Sequence, residues 1–305
     1  MTPIRVQLTL EEKGEANMLA TQDFRHIEVT PHIHGFGAQV TGLDLSQPLP
    51  AEVQEEVKAA WAEHAVLAFP DQPLSLEQLE DFTRQLGEFG HDPFIKPMAE
   101  HPHVLELRRE PDETASNFGS GWHSDWSFQE EPPAGTILHS EVIPPVGGNT
   151  LYADTTRAYE TLSAEMKERI EGLQAIHSAM LPYGRKGVYS QDKVKRTMEI
   201  IVSKEAEVSQ THPIVRTHPV TGRKSLFISP VYTIGVEGLD DEKAQGLLGE
   251  LYIHMTKEEF VYRHKWQPDM LVIWDNRNTM HFAEGGYDGH LRVLHRTTIA
   301  GEVPV

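Results

Sequence analysis

Apolar residues in this chain fall mostly in short runs closed by glycine, proline or charge. Ala65-Val66-Leu67-Ala68-Phe69, stopped by Pro70, suits a buried strand, as do Met270-Leu271-Val272-Ile273-Trp274 and the shorter runs Val104–Leu107, Thr136–Leu138 and Leu226–Ile228. Leu291–Leu294 and Thr297–Ile299 read as two further strands, and Ile27–Thr30 as another. Weak alternation over Phe36–Leu45, punctuated by Gly35, Gly37 and Gly42, predicts short strands around a tight turn. Helical spacing is rarer. Val53, Val57, Ala60 and Trp61 recur on one face behind Pro50, predicting a helix over about 51–63. Ser75-Leu76-Glu77-Gln78 opens another with a capping box, its stripe is Leu76, Leu79, Phe82 and Leu86, and Gly87 ends it. Helices are also expected over about 155–173, with Ser163 as an internal restart, and over about 240–256. Many short strands with few helices predict an α+β chain built on a β-sandwich or barrel core.

With 305 residues and no break in composition, residues 27–305 are expected to form a single domain, preceded by a loosely held arm over 1–26. Residues 180–211 carry many charges and few apolar side chains, the composition of an insertion or lid. The net charge of −19, with no Lys/Arg run longer than two, speaks against nucleic acid, since phosphates need a basic stripe. An anionic small molecule would have to be held by particular arginines, because the global field repels it. The absence of cysteine leaves His, Asp and Glu as metal ligands. No apolar h-region follows Met1 and no stretch nears the roughly 20 apolar residues of a membrane span, so a cytoplasmic protein with no membrane partner is expected.

Two distant segments hold the candidate chemistry: Trp122-His123-Ser124-Asp125 and Asp275-Asn276-Arg277-Asn278-Thr279-Met280-His281. Together they supply two imidazoles and a carboxylate, a set that suits iron(II) held on one face with the other open to cosubstrate and oxygen. On a strand, His123 and Asp125 would point the same way with Ser124 turned away. A lone His-x-Asp is a weak signal among 17 histidines, and His32-Ile33-His34 and His101-Pro102-His103 are pairs of similar simplicity. Surface or hydrogen-bonded histidines are the alternative for all of them. Context favours the first pair, which is flanked by Trp122, Trp126, Phe128 and Pro132-Pro133, while His281 follows an apolar strand and an Asp-Asn-Arg turn. Arg292 and Arg296, four residues apart, can face one way on a strand.

Trp122-His123-Ser124-Asp125…Pro132-Pro133, Pro144-Pro145-Val146-Gly147-Gly148-Asn149-Thr150-Leu151-Tyr152-Ala153-Asp154, Trp274-Asp275-Asn276-Arg277…His281 and Arg292…His295-Arg296 resemble, in order and spacing, the taurine dioxygenase (TauD/TfdA-like) group. These are iron(II)/2-oxoglutarate-dependent dioxygenases, with alkylsulfatase and aryloxyalkanoate members, and the likeness covers about residues 27–303. It implies a double-stranded β-helix (jelly-roll) core with flanking helices, and a dimer or tetramer. It implies His123, Asp125 and His281 as the iron ligands, and Arg292 and Thr150 as partners of the distal carboxylate of 2-oxoglutarate, for which a guanidinium fork is matched. Without the likeness, Gly147-Gly148 would be a plain turn, Arg292 a surface ion pair and Trp274 a core aromatic. The retained carboxylate Asp125 favours hydroxylation over halogenation. Oxidative decarboxylation would give succinate and carbon dioxide, with release of an aldehyde or ketone where the hydroxylated carbon bears a heteroatom.

Arg296 matches the residue that holds the substrate's anion in the taurine enzyme, so a small anionic substrate is expected. The rest of that pocket departs from the family. Gly119 stands where an asparagine is expected, Trp126 replaces a small aliphatic residue, and Asp92 and Ile95 fall where a sulfonate-binding histidine and a tyrosine would lie. Taurine itself is therefore disfavoured, and a carboxylate or sulfate ester with an apolar body fits Trp126 and Ile95 better. Asp92 would receive an ammonium group or lie at the surface. The competing readings are a jelly-roll metal-binding protein without oxygenase activity, which has no use for Arg292 and Thr150, and a metal-dependent hydrolase, for which no general base is marked.

Overall fold

The computed structural model describes residues 24–32, 35–191 and 194–305. In chain order the elements are β1 (Glu28–Pro31), β2 (Ala38–Thr41), α1 (Ala51–His64), β3 (Val66–Phe69), α2 (Leu76–Leu86), β4 (Leu105–Arg109), β5 (Gly135–Val142) and β6 (Thr150–Asp154). They continue with α3 (Thr155–Glu160), α4 (Ala164–Ile170), β7 (Gln174–Ser178), α5 (Met180–Tyr183), β8 (Ser209–Pro213), β9 (Val215–Thr217), β10 (Lys224–Leu226), β11 (Thr233–Val236) and α6 (Asp241–Met255). The last strands are β12 (Val261–His264), β13 (Leu271–Asp275), β14 (Thr279–Ala283) and β15 (Arg292–Ile299). Mixed α and β structure is thus as expected.

The helices begin where the sequence supplies caps. Ser75 accepts from the Gln78 amide while the Gln78 side chain accepts from the Ser75 amide, completing the capping box of α2. Asp154 caps α3 and Ser163 caps α4, so the expected single helical region is two helices with the restart at Ser163. Leu79 and Phe82 of α2 are fully buried against the large sheet, each worth roughly 2–3 kcal/mol of burial.

The large sheet runs β1-β2-β3-β13-β5-β15-β4, antiparallel except where β2 meets β3. A three-stranded sheet, β12-β6-β14, faces it, and β11-β7-β8 and β10-β9 form smaller sheets. The helices α1 and α2 cover the outer side of the large sheet, while α3, α4 and α6 pack with the small ones. Between the two main sheets lies a cavity whose walls carry Leu107, Leu138, Trp274, Arg292 and Arg296 from one side and Thr150, His281 and Ala283 from the other.

Some expectations are corrected here. The two strands expected over 291–299 are one, because His295 and Arg296 continue the ladder with β5 and β4. All eight residues of β15 are buried, its two arginines included. His123 and Asp125 do not lie on a regular strand: His123 makes an isolated bridge and the chain then turns, with Trp126 at φ 47°. Phe227 and Ile228 are buried beyond the end of β10. Most of the expected N-terminal arm lies outside the described residues, but the Arg25 and His26 amides both donate to Glu56 on α1 at 2.9 Å.

Candidate active site

His123 and His281 come from segments far apart in sequence and are joined by two backbone hydrogen bonds, His281 N to His123 O at 2.8 Å and His123 N to His281 O at 3.1 Å. That bridge holds the two rings side by side, centroids 4.2 Å apart. Asp125 Oδ1 lies 3.6 Å from His123 Nε2 and 3.8 Å from His281 Nε2. Among the described residues, this is the only group of three histidines or carboxylates whose ligand atoms converge, all within 4.8 Å.

The surroundings turn the ligand atoms toward one point, although Arg296 Nη2 also approaches Asp125 Oδ1 at 3.2 Å. The Gly121 carbonyl lies 2.6 Å from His123 Nδ1, which assigns the ring proton to that nitrogen and the lone pair to Nε2. The Thr136 hydroxyl donates to Asp125 Oδ2 at 2.7 Å, and Asn276 Nδ2 donates to Thr136 at 2.9 Å. Asn276 Oδ1 in turn accepts from Trp274 Nε1 and from the Asp125 amide. Oδ1 of Asp125 is therefore turned toward the imidazoles. Burial drives the His281 pKa down to about 3, helped by the neighbouring His123. His123 is lowered for the same first reason. Burial alone would raise Asp125, but Arg296, the two histidines and the Thr136 hydroxyl bring it to about 2. Two neutral imidazoles and an ionised carboxylate are the protonation states that bind a metal ion. The donor set, two nitrogens and one oxygen, fits iron(II).

The turn from β13 to β14 that delivers His281 is fixed by a buried ion network. Arg277 grips Asp275 through two hydrogen bonds at 2.8 and 2.6 Å, and His218 Nε2 lies 3.0 Å from the same carboxylate. Burial opposes ionisation of Asp275, yet Arg277 and His218 hold it well below the usual carboxylate range.

Across the cavity, Arg292 is 8% exposed. It donates to the Gly148 carbonyl at 3.2 Å and lies over the Tyr287 ring, but its buried Nε has no partner and no carboxylate among the described residues pairs with it. Burial lowers its pKa. Thr150 Oγ1 accepts from Trp266 Nε1 at 3.0 Å, which leaves its hydroxyl hydrogen to give away. Gly147 and Gly148, at φ 64° and 68°, tuck under Gly285 and Gly286, and a Cβ on Gly147 would sit 2.6 Å from the Gly285 carbonyl. The glycine pair is thus a required close approach that brings the Gly148 carbonyl to Arg292, with Thr150 on the wall of the same cavity.

Arg296 is buried under Trp126, its guanidinium 5.0 Å from that ring. Nη2 lies 3.2 Å from Asp125 Oδ1 and 3.3 Å from Asp92 Oδ1. Asp92 also accepts from Trp126 Nε1 at 2.5 Å and from the Thr298 hydroxyl at 2.9 Å. Gly119, at φ 76°, lines the cavity beside His123. Ile95 is buried in an aromatic cluster with Phe94, Trp126, Phe128, Tyr183 and Tyr232, and pairs by a bridge with Ile200. From the 180–211 stretch, Arg196 and Met198 reach the cavity wall. Of the other histidine pairs, His101 contacts Glu77 and Glu80, His103 stacks on Phe89 and His32 on Tyr262, while His34 lies outside the described residues. Sequence reasoning did not single out Thr136, Asn276 or His218. Each is a common polar residue whose role appears only through a contact made in the fold, although Asn276 lies within a motif already quoted.

Comparison with known proteins places this geometry. The model of the "Taurine catabolism dioxygenase TauD, TfdA family" matches residues 26–298. An alpha-ketoglutarate-dependent sulfate ester dioxygenase of Pseudomonas putida is 32% identical over 92% of this chain and 91% of its own length. An alpha-ketoglutarate-dependent 2,4-dichlorophenoxyacetate dioxygenase of Cupriavidus pinatubonensis is 34% identical over 88% of this chain and 96% of its own. Among solved structures, a taurine dioxygenase from Burkholderia xenovorans superposes with a TM-score of 0.76 at 32% identity, covering 92% of this chain and 91% of that one. AAD-2 in complex with Mn(II) and N-oxalylglycine gives 0.75 at 33%, covering 91% and 98%.

Proposed function

The chain belongs to the TauD, TfdA family of dioxygenases, and from that membership we infer that His123, Asp125 and His281 hold its iron(II) and that Arg292 and Thr150 hold the distal carboxylate of 2-oxoglutarate. The enzyme is an iron(II)- and 2-oxoglutarate-dependent dioxygenase that hydroxylates a small anionic organic substrate. Bound iron supplies the oxygen chemistry, coupling oxidative decarboxylation of 2-oxoglutarate, with release of succinate and carbon dioxide, to oxygen insertion into a C–H bond. The protein's part is binding, orientation and exclusion of water. Thr136 and Asn276 fix the carboxylate of Asp125, as hydrogen-bonding groups behind a metal ligand do. Leu107, Leu138 and Trp274 line the path between the histidines and Arg292 with apolar surface. The single observation that carries the reading is a His-Asp-His cluster sharing one cavity with a buried guanidinium that has no carboxylate partner among the described residues.

The substrate class follows the relatives, which act on sulfate esters and phenoxyalkanoates, and the apolar Leu107, Phe118, Leu138 and Trp274 on the cavity wall support an apolar body on that substrate, while Trp126 is buried behind Arg296 and does not line the cavity. The fold is read as a double-stranded β-helix, in which the large sheet and the facing β12-β6-β14 sheet are the two halves of the jelly roll. Met198 on the cavity wall supports reading 180–211 as a lid. A cytoplasmic homo-oligomer, dimer or tetramer, completes the reading, and no described helix is long and apolar enough to cross a membrane. The test is succinate release from 2-oxoglutarate with iron(II) and oxygen, stimulated by members of a panel of sulfate esters, sulfonates and phenoxyalkanoates. His123→Ala is expected to abolish both turnover and iron retention. Turnover that survives the substitution overturns the ligand assignment.

A further inference from the structure

Resting on that reading, we propose that Asp92 is a specificity-determining residue: it cancels the charge of Arg296 and so excludes an anion from the end of the substrate that lies beside the metal ligands. Arg296 is the cation nearest Asp125, yet two carboxylates already sit on one of its nitrogens, Asp125 at 3.2 Å and Asp92 at 3.3 Å. All three groups are largely withdrawn from water, with side chains 4%, 1% and 10% exposed. Neither carboxylate is aligned with Nη2 as a hydrogen bond, and Nε has no partner. The corner therefore has spare donors but no spare positive charge.

Asp92 is held in that place by two hydrogen bonds, from the Trp126 indole and the Thr298 hydroxyl. Trp126 is held in turn, its backbone in the left-handed region at φ 47° and its ring against Arg296 on one side and the Phe128, Tyr183 and Tyr232 rings on others. A buried ion cluster of this kind cannot trade partners cheaply, because freeing one carboxylate leaves a charge in a low dielectric. By contrast Arg108 and Arg109, which also line the cavity, pair with the half-exposed Glu110 and the exposed Asp288. Contacts of that sort give way to another anion with little loss. The preferred substrate thus presents an uncharged, apolar carbon beside His123 and carries its anion away from Arg296. A short sulfonate whose charge adjoins the reacting carbon is disfavoured.

The experiment compares 1-butanesulfonate with its neutral counterpart butyl methyl sulfone, by calorimetric titration under nitrogen into the full chain loaded with iron(II) and 2-oxoglutarate. The wild type is expected to bind the sulfone at least as tightly as the sulfonate. Asp92→Asn removes the charge while an amide oxygen still accepts from the indole, and it is expected to shift the preference about tenfold or more toward the sulfonate, the worth of one charge-assisted contact. Asp92→Ser is the second variant should the first lose its cooperative melt. A wild type that prefers the sulfonate tenfold, or folded variants that gain no sulfonate affinity, overturns the proposal. Succinate release by the wild type is read separately, so loss of the dioxygenase reading is distinguishable from loss of this one.

Discussion

Replacing Arg292 by leucine separates a cosubstrate anchor from a structural arginine, because the two roles predict opposite changes in stability. In the folded chain the guanidinium is buried, donates one hydrogen bond to Gly148, stacks on Tyr287 and leaves Nε unpaired. Leucine removes an uncompensated buried charge, a gain of about 1–3 kcal/mol that is offset by roughly 1 kcal/mol for the lost hydrogen bond. The ligand-free variant should therefore be as stable as the wild type or about 1 kcal/mol more so. With an unfolding entropy of about 2.1 cal/mol/K per residue over 305 residues, 1 kcal/mol is about 1.6 °C in Tm. The ligand acts the other way. At a hundredfold excess over its Kd, 2-oxoglutarate should stabilise the wild type by about 2.7 kcal/mol, or about 4 °C. Removing one partner of a buried charge pair costs about 2–5 kcal/mol, so the variant should bind 2-oxoglutarate at least about thirtyfold more weakly and lose most of that rise. Melting curves under nitrogen, with iron(II) and with or without 2-oxoglutarate, measure both effects. A variant that melts several degrees lower without ligand and keeps the ligand-induced rise would refute the reasoning, since Arg292 would then be a strut.

Thr136→Val removes the hydroxyl that orients Asp125 and leaves Asn276 Nδ2 without its acceptor. A chelator competition should show iron affinity falling about 10- to 100-fold. Gly147→Ala drives a Cβ to 2.6 Å from backbone at Gly285 and Gly286 from a positive φ, so a urea midpoint should report a loss above about 2 kcal/mol, with weaker 2-oxoglutarate binding because Gly148 and Thr150 shift together. His177 and His264 each have a pKa brought to about 3, mainly by burial. A histidine depressed in the folded state binds fewer protons there than when unfolded, so stability falls as pH drops below about 6.5 and continues to fall toward 3. By pH 5 each should cost about 2 kcal/mol relative to pH 7, and His177→Phe should flatten the slope of urea midpoint against pH by close to one proton.

The elements that sequence pattern located are those whose cause is local. Ser75 with Gln78, Ser163, and the run closed by Pro70 each specify a boundary through neighbours three or four residues away, and α2, α4 and β3 begin and end there. Strands such as β7, Gln174-Ala-Ile-His-Ser178, and β8, Ser209-Gln-Thr-His-Pro213, carry no apolar run. They are strands because partners elsewhere satisfy their backbone and because their histidines are buried against each other, His177 on His212. The split expected in β15 has the same origin. His295-Arg296 looks like a break in an apolar pattern, but the strand is buried throughout and Asp92 and Asp125 meet Arg296 there. The candidate metal ligands were legible only through several motifs that resemble one family in order and spacing, since His-x-Asp alone is a weak signal. The state of Arg296 was not, since Asp92 reaches it from a position more than 200 residues earlier.

Charge ties these observations together. A chain with a net charge of −19 repels a dianion at long range, and more so at low salt. Such a protein can hold 2-oxoglutarate only if a positive charge inside it is left uncancelled, and Arg292 is a buried guanidinium in that condition. On the proposed assignment, iron(II) with Asp125 would leave one positive charge, Arg292 would supply a second, and the cosubstrate's two negative charges would consume both. Arg296 would then be the surplus that attracts the substrate, were it not matched by Asp92. With Asp92 in place the proposed inner site is electrically complete once cosubstrate has bound, and what it offers the next ligand is the apolar wall of Leu107, Phe118, Leu138 and Trp274. Selectivity at that end must then come from shape and apolar contact, with the substrate's own charge met farther out.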